Sequence, residues 1–445
     1  MDSSKIKRFL NTVKYLRFIQ IYYRLFYYVR NKIYTIKYKK IYPKNSCNII
    51  WYNTITNPDS YIGDNYFNFL NIKHFFSKKI DWNYSKYGKL WTYNLNYFDF
   101  LNQENIFKDD GVNLINAYIS ERNILKSGIE SYPISLRAMN WIKFLAKNNI
   151  NNENINQFLY DDLQRLLNNL EYHLLGNHLL ENAFSLLFGS IYFRDENLYI
   201  VSKNILKAEL NEQILDDGGH FELSPMYHQI VLFRILDCIQ LIKLNDWKND
   251  DLLTLLVKKC SLMLSWIKKI TFNNGDIPMV NDSAFNISPT TKDLSNYAKK
   301  LNVNDKNVDL SKSGYRIFKN ENYELFMDLA DVVASYQPGH FHSDTFNFIL
   351  YVNNKPVIID TGTSTYERND RRNIERSTKS HNTVTIGDYE QTEVWSAFRV
   401  GNRAKITSLS DEPDMFSAKH NGYENIGIIH TRTFNPKKNL IIIRD

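Results

Sequence analysis

The order of hydrophobic periods along the chain predicts an α+β protein of more than one domain, helices first and strands second. Three observations carry this. The chain has 445 residues, too many for one ordinary core. From Asn94 to about Leu301, apolar residues recur at spacings of three and four, as in residues 135–146, 158–167 and 230–242. Helices of modest length in such a series suggest antiparallel hairpins curled into an open toroid. Beyond the polar stretch 302–307 the apolar runs are short and strand-like.

The N-terminal segment comes first. Residues 1–44 hold twelve Lys or Arg against one acid, Asp2, while the remaining chain holds 43 basic and 47 acidic residues. The net charge of +7 is therefore a property of this segment alone. Nothing in the main body calls for nucleic acid. Phe9, Leu10, Val13, Leu16, Ile19, Ile21, Leu25 and Phe26 alternate with basic residues, an amphipathic helical pattern. Such a helix either packs on the domain behind it or lies on an anionic membrane surface. Lys5, Lys7, Arg8, Lys14, Arg17, Arg24 and Arg30 interrupt every apolar run. A signal peptide is therefore not expected, nor a membrane-spanning helix. A cytoplasmic protein, peripheral to the inner membrane, is the expectation.

Apolar content of 43% is ample for packed interiors. Cys47, Cys238 and Cys260 are odd in number and lack CxxC spacing, so no disulfide framework follows. Strands are expected at 324–328, 346–352, 383–386, 426–434 and 440–444, with an Asn353-Asn354-Lys355 turn making one hairpin. The β region spans only about 140 residues (306–445) and its last strand stops at the chain end. It is either a minimal β domain or one cut short with an exposed edge. The expected division is 1–58 as the basic segment, 59–305 helical and 306–445 β.

Five motifs carry the chemistry. The richest is Gln337-Pro-Gly-His-Phe-His-Ser-Asp344. On a strand, residues two apart share a face, so His340 and His342 would serve one site. Val357-Ile-Ile-Asp360-Thr-Gly-Thr363 and Arg376-Ser-Thr-Lys-Ser-His381-Asn-Thr-Val384 follow. His342, Asp360 and His381 make a plausible two-nitrogen, one-oxygen metal set, which leaves His340 free for proton chemistry. Upstream lie Gly176-Asn-His-Leu-Leu-Glu-Asn182 and Asp217-Gly-Gly-His-Phe-Glu-Leu-Ser-Pro-Met-Tyr-His228.

Each candidate has a plainer reading. Asn177 shares a helix face with Glu181, and His178 reaches the same Glu181; alternatively Asn177 caps a helix. Ser224-Pro225 is a good N-cap and N1 pair, so Tyr227 falls in a first helical turn. The positive helix end would favour its phenolate; alternatively it is one packing tyrosine among 30. His220 and His228 read as supporting hydrogen-bond partners. Arg137, Asn140 and Trp141 would suit an acidic sugar, as would the stripe Trp91, Asn94 and Tyr97; either set could be domain core. Arg399, four residues after Trp395 and eight after Gln391, binds a uronate or sulfate, or pairs with an acid.

These motifs, in their order along the chain, resemble the heparinase II/III family of polysaccharide lyases over roughly residues 50–445. The resemblance implies an incomplete α/α toroid followed by an antiparallel β-sandwich. It implies lysis of uronate-containing acidic glycans by β-elimination, with Asn177 neutralising the carboxylate, helped by a protonated Glu181, and with Tyr227 and His340 as acid and base. His342, Asp360 and His381 would hold a structural metal, zinc by its ligand types, with Asp344 orienting a histidine. The alternatives are a uronate C5-epimerase of the same fold and a non-catalytic glycan-binding protein in surface-polysaccharide assembly.

Overall fold

The computed structural model describes residues 3–33, 38, 40–43, 48–248 and 250–445; Cys47 lies outside them. Helices dominate to residue 300 and antiparallel strands follow from residue 315. The helices are α1 (Ser3–Val13), α2 (Phe18–Ile33), α3 (Lys89–Tyr97), α4 (Lys108–Ser120), α5 (Ser131–Lys147), α6 (Glu153–Leu167), α7 (Gly176–Phe193), α8 (Glu196–Gln213), α9 (Pro225–Leu244), α10 (Asp251–Ile270), α11 (Thr291–Lys300) and the short α12 (Asp370–Glu375). A small sheet of β1 (Tyr61–Gly63), β2 (Tyr66–Phe69) and β3 (Ile72–Phe75) precedes α3. The strand pattern of the second half gives no hint of this early sheet.

The chain folds into two compact units. Unit 1 comprises residues 1–17, 211–233 and 258–445, and unit 2 comprises residues 18–210 and 234–257.

In unit 2, α7 is apolar nearly all round and buried along almost its whole length, as a helix at the centre of a bundle must be. It packs on α5 and α6. Asn152 caps α6 by accepting the Ile155 N–H at 3.1 Å. Lys143 and Asp237 form an ion pair inside this core, with Lys143 over the Trp51 and Phe188 rings, and Trp141, Phe98, Tyr118 and Phe158 pack against one another as an aromatic cluster. Full burial of such rings supplies about 1.5–3 kcal/mol each.

Unit 1 holds two four-stranded antiparallel sheets. The first is β4 (Tyr315–Lys319), β5 (Tyr323–Asp328), β6 (Phe348–Val352) and β7 (Lys355–Ile358) in chain order. A two-stranded ribbon, β8 (Val394–Trp395) and β9 (Arg399–Val400), follows. The second sheet is β10 (Ile406–Glu412), β11 (Met415–His420), β12 (His430–Pro436) and β13 (Ile441–Arg444), again in order. The two share one core of Leu325, Met327, Phe346, Phe416, Ala418 and Phe434. The β6–β7 hairpin turns through Asn353 and Asn354, both at positive φ, the conformation that suits the twist of a two-residue hairpin.

Three strand expectations shift. Residues 383–386 form no strand, because side chains take the place of a ladder: Gln391 donates to Thr383 Oγ1 at 3.0 Å and Tyr423 OH to the Val384 carbonyl at 2.7 Å. β12 starts only at His430, after a 3-10 turn closed by Gly427 at φ 76°. β6 starts at Phe348, since Phe346 has φ 68°, outside the β region.

The basic N-terminal segment is split. In unit 1, α1 and the turn after it are tied down: Arg8 donates to Glu393 at 2.8 Å, Trp395 Nε1 to Thr12 Oγ1 at 3.1 Å, and Arg403 lies 3.6 Å over the Tyr15 ring. α2 belongs to unit 2. None of the described helices is long and apolar enough to cross a membrane. Cys238 and Cys260 are free and buried.

Candidate active site and metal-ligand cluster

The dominant feature of unit 1 is a buried carboxylate that the sequence reading missed, Asp282. It sits in the turn Val280-Asn281-Asp282-Ser283, between α10 and α11. Asn281 adopts φ 53°; its side chain donates to the Leu223 carbonyl at 3.0 Å and accepts the His342 N–H at 2.9 Å. This bridge draws the turn to the His-Phe-His segment. That segment is a loop, and the expected strand pairing is absent: its N–H groups go to Pro338 O, Asn281 Oδ1 and Arg376 O instead of a ladder. His340 and His342 still meet, because Asp282 collects both. His340 Nδ1 donates to one carboxylate oxygen at 2.7 Å, and His342 Nε2 to the other at 2.8 Å.

Arg372 completes the group. Asn369 caps the helix that carries it. Its guanidinium donates to both Asp282 oxygens, and also to Thr363 Oγ1 at 2.9 Å and the Ala397 carbonyl at 3.0 Å. Burial alone would raise the Asp282 carboxyl, yet the two histidine hydrogen bonds and Arg372 outweigh it and hold it well below the usual carboxylate range. Arg376, also buried, clamps the loop by donating to the Phe341 carbonyl at 2.9 and 3.1 Å.

Tyr227 lies on this cluster. Ser224 caps α9, accepting the Tyr227 N–H at 3.3 Å, and Pro225 takes the first helical position. The Tyr227 ring lies 4.1 Å from the His340 ring, and its hydroxyl is 3.0 Å from that of Tyr366. Burial, then Tyr366 and Asp282, push the Tyr227 hydroxyl well above its ordinary pKa. The expected phenolate is thus disfavoured, since burial outweighs the helix end. The turn before α9 is built on Gly218 at φ 90°, where a Cβ would strike the Leu262 carbonyl. Asp217 holds that turn by accepting the Gly219 N–H at 3.0 Å. His228 accepts the His220 N–H at 3.2 Å and donates to the Met263 carbonyl at 2.9 Å. It is buried and keeps α9 in place.

In the metal set, the two carboxylates have different surroundings. Asp360 is occupied: it accepts from His381 Nδ1 at 2.7 Å, Asn347 Nδ2 at 2.5 Å and the Gly362 N–H at 3.0 Å. Asp344 is buried, and neither of its oxygens has a hydrogen-bond partner. His342 Nδ1 and His381 Nε2 are also buried without partners, while the opposite nitrogen of each ring is pinned by Asp282 or Asp360. The rings lie 5.4 Å apart. Among the described residues no three such side chains converge into a ready metal cage. In donor chemistry the cluster nonetheless fits a cation. Two imidazoles oriented by carboxylates, with a free carboxylate beside them, is the usual pattern around a bound metal, and buried polar atoms without partners call for an explanation.

Unit 2 carries the other motif. Asn177 stands in the first turn of α7 and is not its cap: Leu175 and Gly176, both at positive φ, lead the chain in. Asn177 Oδ1 is buried without a partner. Glu181, one turn on, receives Arg234 Nε at 3.2 Å on both oxygens. Burial raises its carboxyl despite Arg234. His178 does not reach Glu181; its Nδ1 donates to Glu171 at 3.2 Å and its ring lies 4.7 Å from Tyr132.

Three residues read as a sugar subsite lie in the core of unit 2. Arg137 is 1% exposed, pairs with Asp162 at 2.6 Å and donates to the Gly128 carbonyl at 2.8 Å. Asn140 donates to Asp99 at 2.6 Å, and Trp141 is fully buried. Arg137 and Asn140 thus turn their donors to protein, while the Trp141 indole N–H is buried without a hydrogen-bond partner. Arg399, in contrast, is exposed and lies 4.7 Å over the Trp395 ring, its cross-strand partner.

Asp282, Arg372, Tyr366 and Arg234 were not singled out in the sequence. The one available signal was Asn281-Asp282-Ser283, a polar run just after the apolar Ile277-Pro-Met-Val280.

Two family models match the chain: Heparinase II/III N-terminus over residues 85–310, and Heparinase II/III-like, C-terminal over residues 303–445. The chain belongs to the heparinase II/III family. A curated heparin-sulfate lyase of Bacteroides stercoris is 25% identical over 284 residues, which is 56% of this chain and 41% of that relative. The chain therefore spans well under half the length of the curated relative it matches. The crystal structure of heparinase III has a TM-score of 0.63 at 17% identity, over 94% of this chain and 74% of its own. A second heparinase III, the BT4657 gene product, has a TM-score of 0.56 at 17% identity, over 82% and 66%. At these identities the structural likeness is one of fold: a helical N-terminal region followed by antiparallel sheets.

Proposed function

We propose that this chain is a polysaccharide lyase that cleaves uronate-containing acidic glycans by β-elimination, on an incomplete α/α toroid joined to a β-sandwich. The observation that carries the proposal is the Tyr227–His340 ring contact at 4.1 Å beside Asp282. With Nδ1–H held by Asp282, His340 presents Nε2 with its lone pair. In this reading Nε2 removes the C5 proton of the uronate. The C5–H electrons form the C4–C5 double bond, and the 4-linked oxygen departs. Tyr227, a neutral phenol because of its burial, protonates that oxygen. In this reading histidine is the base and tyrosine the acid.

Asn177 is the proposed carboxylate neutraliser. Its place in the first turn of α7, where the helix dipole favours negative charge and the side-chain amide N–H can donate, supports this role. Glu181, raised by burial, supports the protonated form that would assist it. Arg399 on Trp395 is the proposed surface contact for an acidic group. The relative named for heparin-sulfate lysis supports a glycosaminoglycan-type substrate.

We propose in addition a structural zinc held by His342 Nδ1 and His381 Nε2 with a carboxylate from Asp360 or Asp344. When bound it would cross-link the loops that carry them. Elemental analysis of the purified protein tests this directly. Asp344→Asn and Asp360→Asn, compared by metal content and melting temperature, identify the ligand; absence of any bound divalent ion in the native protein ends the proposal.

The activity is tested on a panel of acidic polysaccharides, with ultraviolet absorbance reporting the unsaturated product. Tyr227→Phe should fold normally and lose about 10²–10⁴-fold in turnover. Full turnover by that variant removes Tyr227 from the mechanism. Solvent deuterium at C5 without cleavage would point to the epimerase.

A further inference from the structure

We infer that α2 is a membrane-interface helix whose outward face docks on an anionic lipid surface. This inference stands apart from the proposed catalysis. Among the described residues, the hydrogen bonds from α2 to the rest of unit 2 come from one side of the helix. Gln20 donates to the Leu174 carbonyl at 3.1 Å, Tyr27 OH to the Leu170 carbonyl at 2.7 Å, and Arg30 to the Asn168 carbonyl at 2.6 Å. The Tyr23 ring stacks on Tyr172 at 4.7 Å. These residues recur at three and four and so share a face.

The opposite face carries Phe18, Tyr22, Leu25, Val29 and Ile33, also at spacings of four and three. They are 80%, 49%, 61%, 50% and 68% exposed. Ile21, Phe26 and Tyr28 are exposed as well and widen the stripe. Isolated exposed apolar residues need no explanation; a continuous stripe along a whole helix does.

Charge selects the occupant. α2 has no acidic residue; Arg24 and Arg30 reach back to the carbonyls of His173 and Asn168, and Lys32 lies beside the stripe near its end. The surrounding segment 1–44 has twelve basic residues and one acid, against a slightly acidic remainder. The matching partner is apolar in its depth and negative at its rim, which describes the headgroup boundary of an anionic bilayer. A long basic side chain such as Lys32 can lift its charge to the headgroups, and Tyr and Phe rings suit that level. A second copy of the chain fits less well, because it would bring the same positive segment into contact with itself. No described helix can span a bilayer, so the contact lies along the surface.

The test is flotation of the full chain with vesicles of phosphatidylglycerol and phosphatidylethanolamine, and with pure phosphatidylcholine vesicles. The native protein should float with the anionic vesicles, bind the neutral ones about tenfold less, and weaken as salt rises. Leu25→Glu with Val29→Glu should lower binding by about tenfold or more with the melting temperature unchanged. Should that pair unfold the protein, Phe18→Ser serves instead. Three results overturn the inference: native protein that ignores anionic vesicles, a folded stripe variant that binds as well as native, or a native dimer in lipid-free solution that the stripe variant converts to monomer.

Discussion

Each unit holds a buried carboxylate facing an arginine, and the two behave in opposite ways. In unit 1, Asp282 accepts hydrogen bonds from Arg372, His340 and His342, and its carboxyl is held far below the usual range. In unit 2, Glu181 receives Arg234 through one nitrogen, and burial still raises it. Desolvation penalises both charges. The number of donors decides which survives, because each charge-assisted hydrogen bond offsets part of that cost. One unit thus fixes a permanent anion that orients two imidazoles. The other keeps a carboxyl that can take up a proton.

The sharpest way to break this comparison is Asp282→Asn. It leaves Arg372 buried without its counter-charge and frees both histidine rings. We expect a loss of about 3–5 kcal/mol in denaturant unfolding. A loss no larger than a surface pair's, under about 1 kcal/mol, would contradict the anchor role.

Arg234→Met is the matching change in unit 2, and it should cost less, about 1–3 kcal/mol. Glu181 can then neutralise itself. Its folded pKa would stand above the unfolded value, so the penalty is absent at low pH and grows as pH rises through the folded pKa. The melting deficit against the native protein should be smaller near pH 5 than near pH 8. An equal deficit at both would show that Glu181 stays charged.

Acid should act on unit 1 through its buried neutral histidines. Burial pushes His228 down to about 3, and burial with His430 nearby does the same to His420. The unfolded chain takes up these protons below about 6.5 and the folded chain does not. Stability is therefore intact above that value and is lost as pH falls toward 3, at about 1.4 kcal/mol per pH unit for each group. Melting curves from pH 7 to pH 5 measure the slope, and a flat profile would count against it.

The smallest effect belongs to Arg399→Ala. An exposed cation on an indole contributes about 0.5–1 kcal/mol, so stability should barely move. If the proposed contact with an acidic sugar is right, KM rises while kcat holds; unchanged KM removes Arg399 from the surface.

Much of this was legible in the chain itself. Helices before strands, Ser224-Pro225 opening α9, and the Asn353-Asn354 hairpin all follow from local rules of period, capping and turn chemistry. His340 and His342 stood out as a pair, but for a reason that failed. They were read as strand neighbours, whereas they are loop residues gathered by Asp282 58 and 60 positions away. Arg137 had the chemistry of a sugar contact, yet Asp162 and two backbone carbonyls already occupy it. His178 chose Glu171, seven residues back, over Glu181 on its own helix.

The sequence by itself determined the family, the order of helices and strands, and the concentration of positive charge in the first 44 residues. These properties depend on neighbours in the chain or on composition, and a single pass reads them. Tertiary structure decided which carboxylate meets which base, which polar atoms remain without partners, and which face of α2 stays uncovered. Those outcomes depend on contacts between residues far apart in the chain and on burial. Burial sets the cost of every charge and is a property of the folded whole.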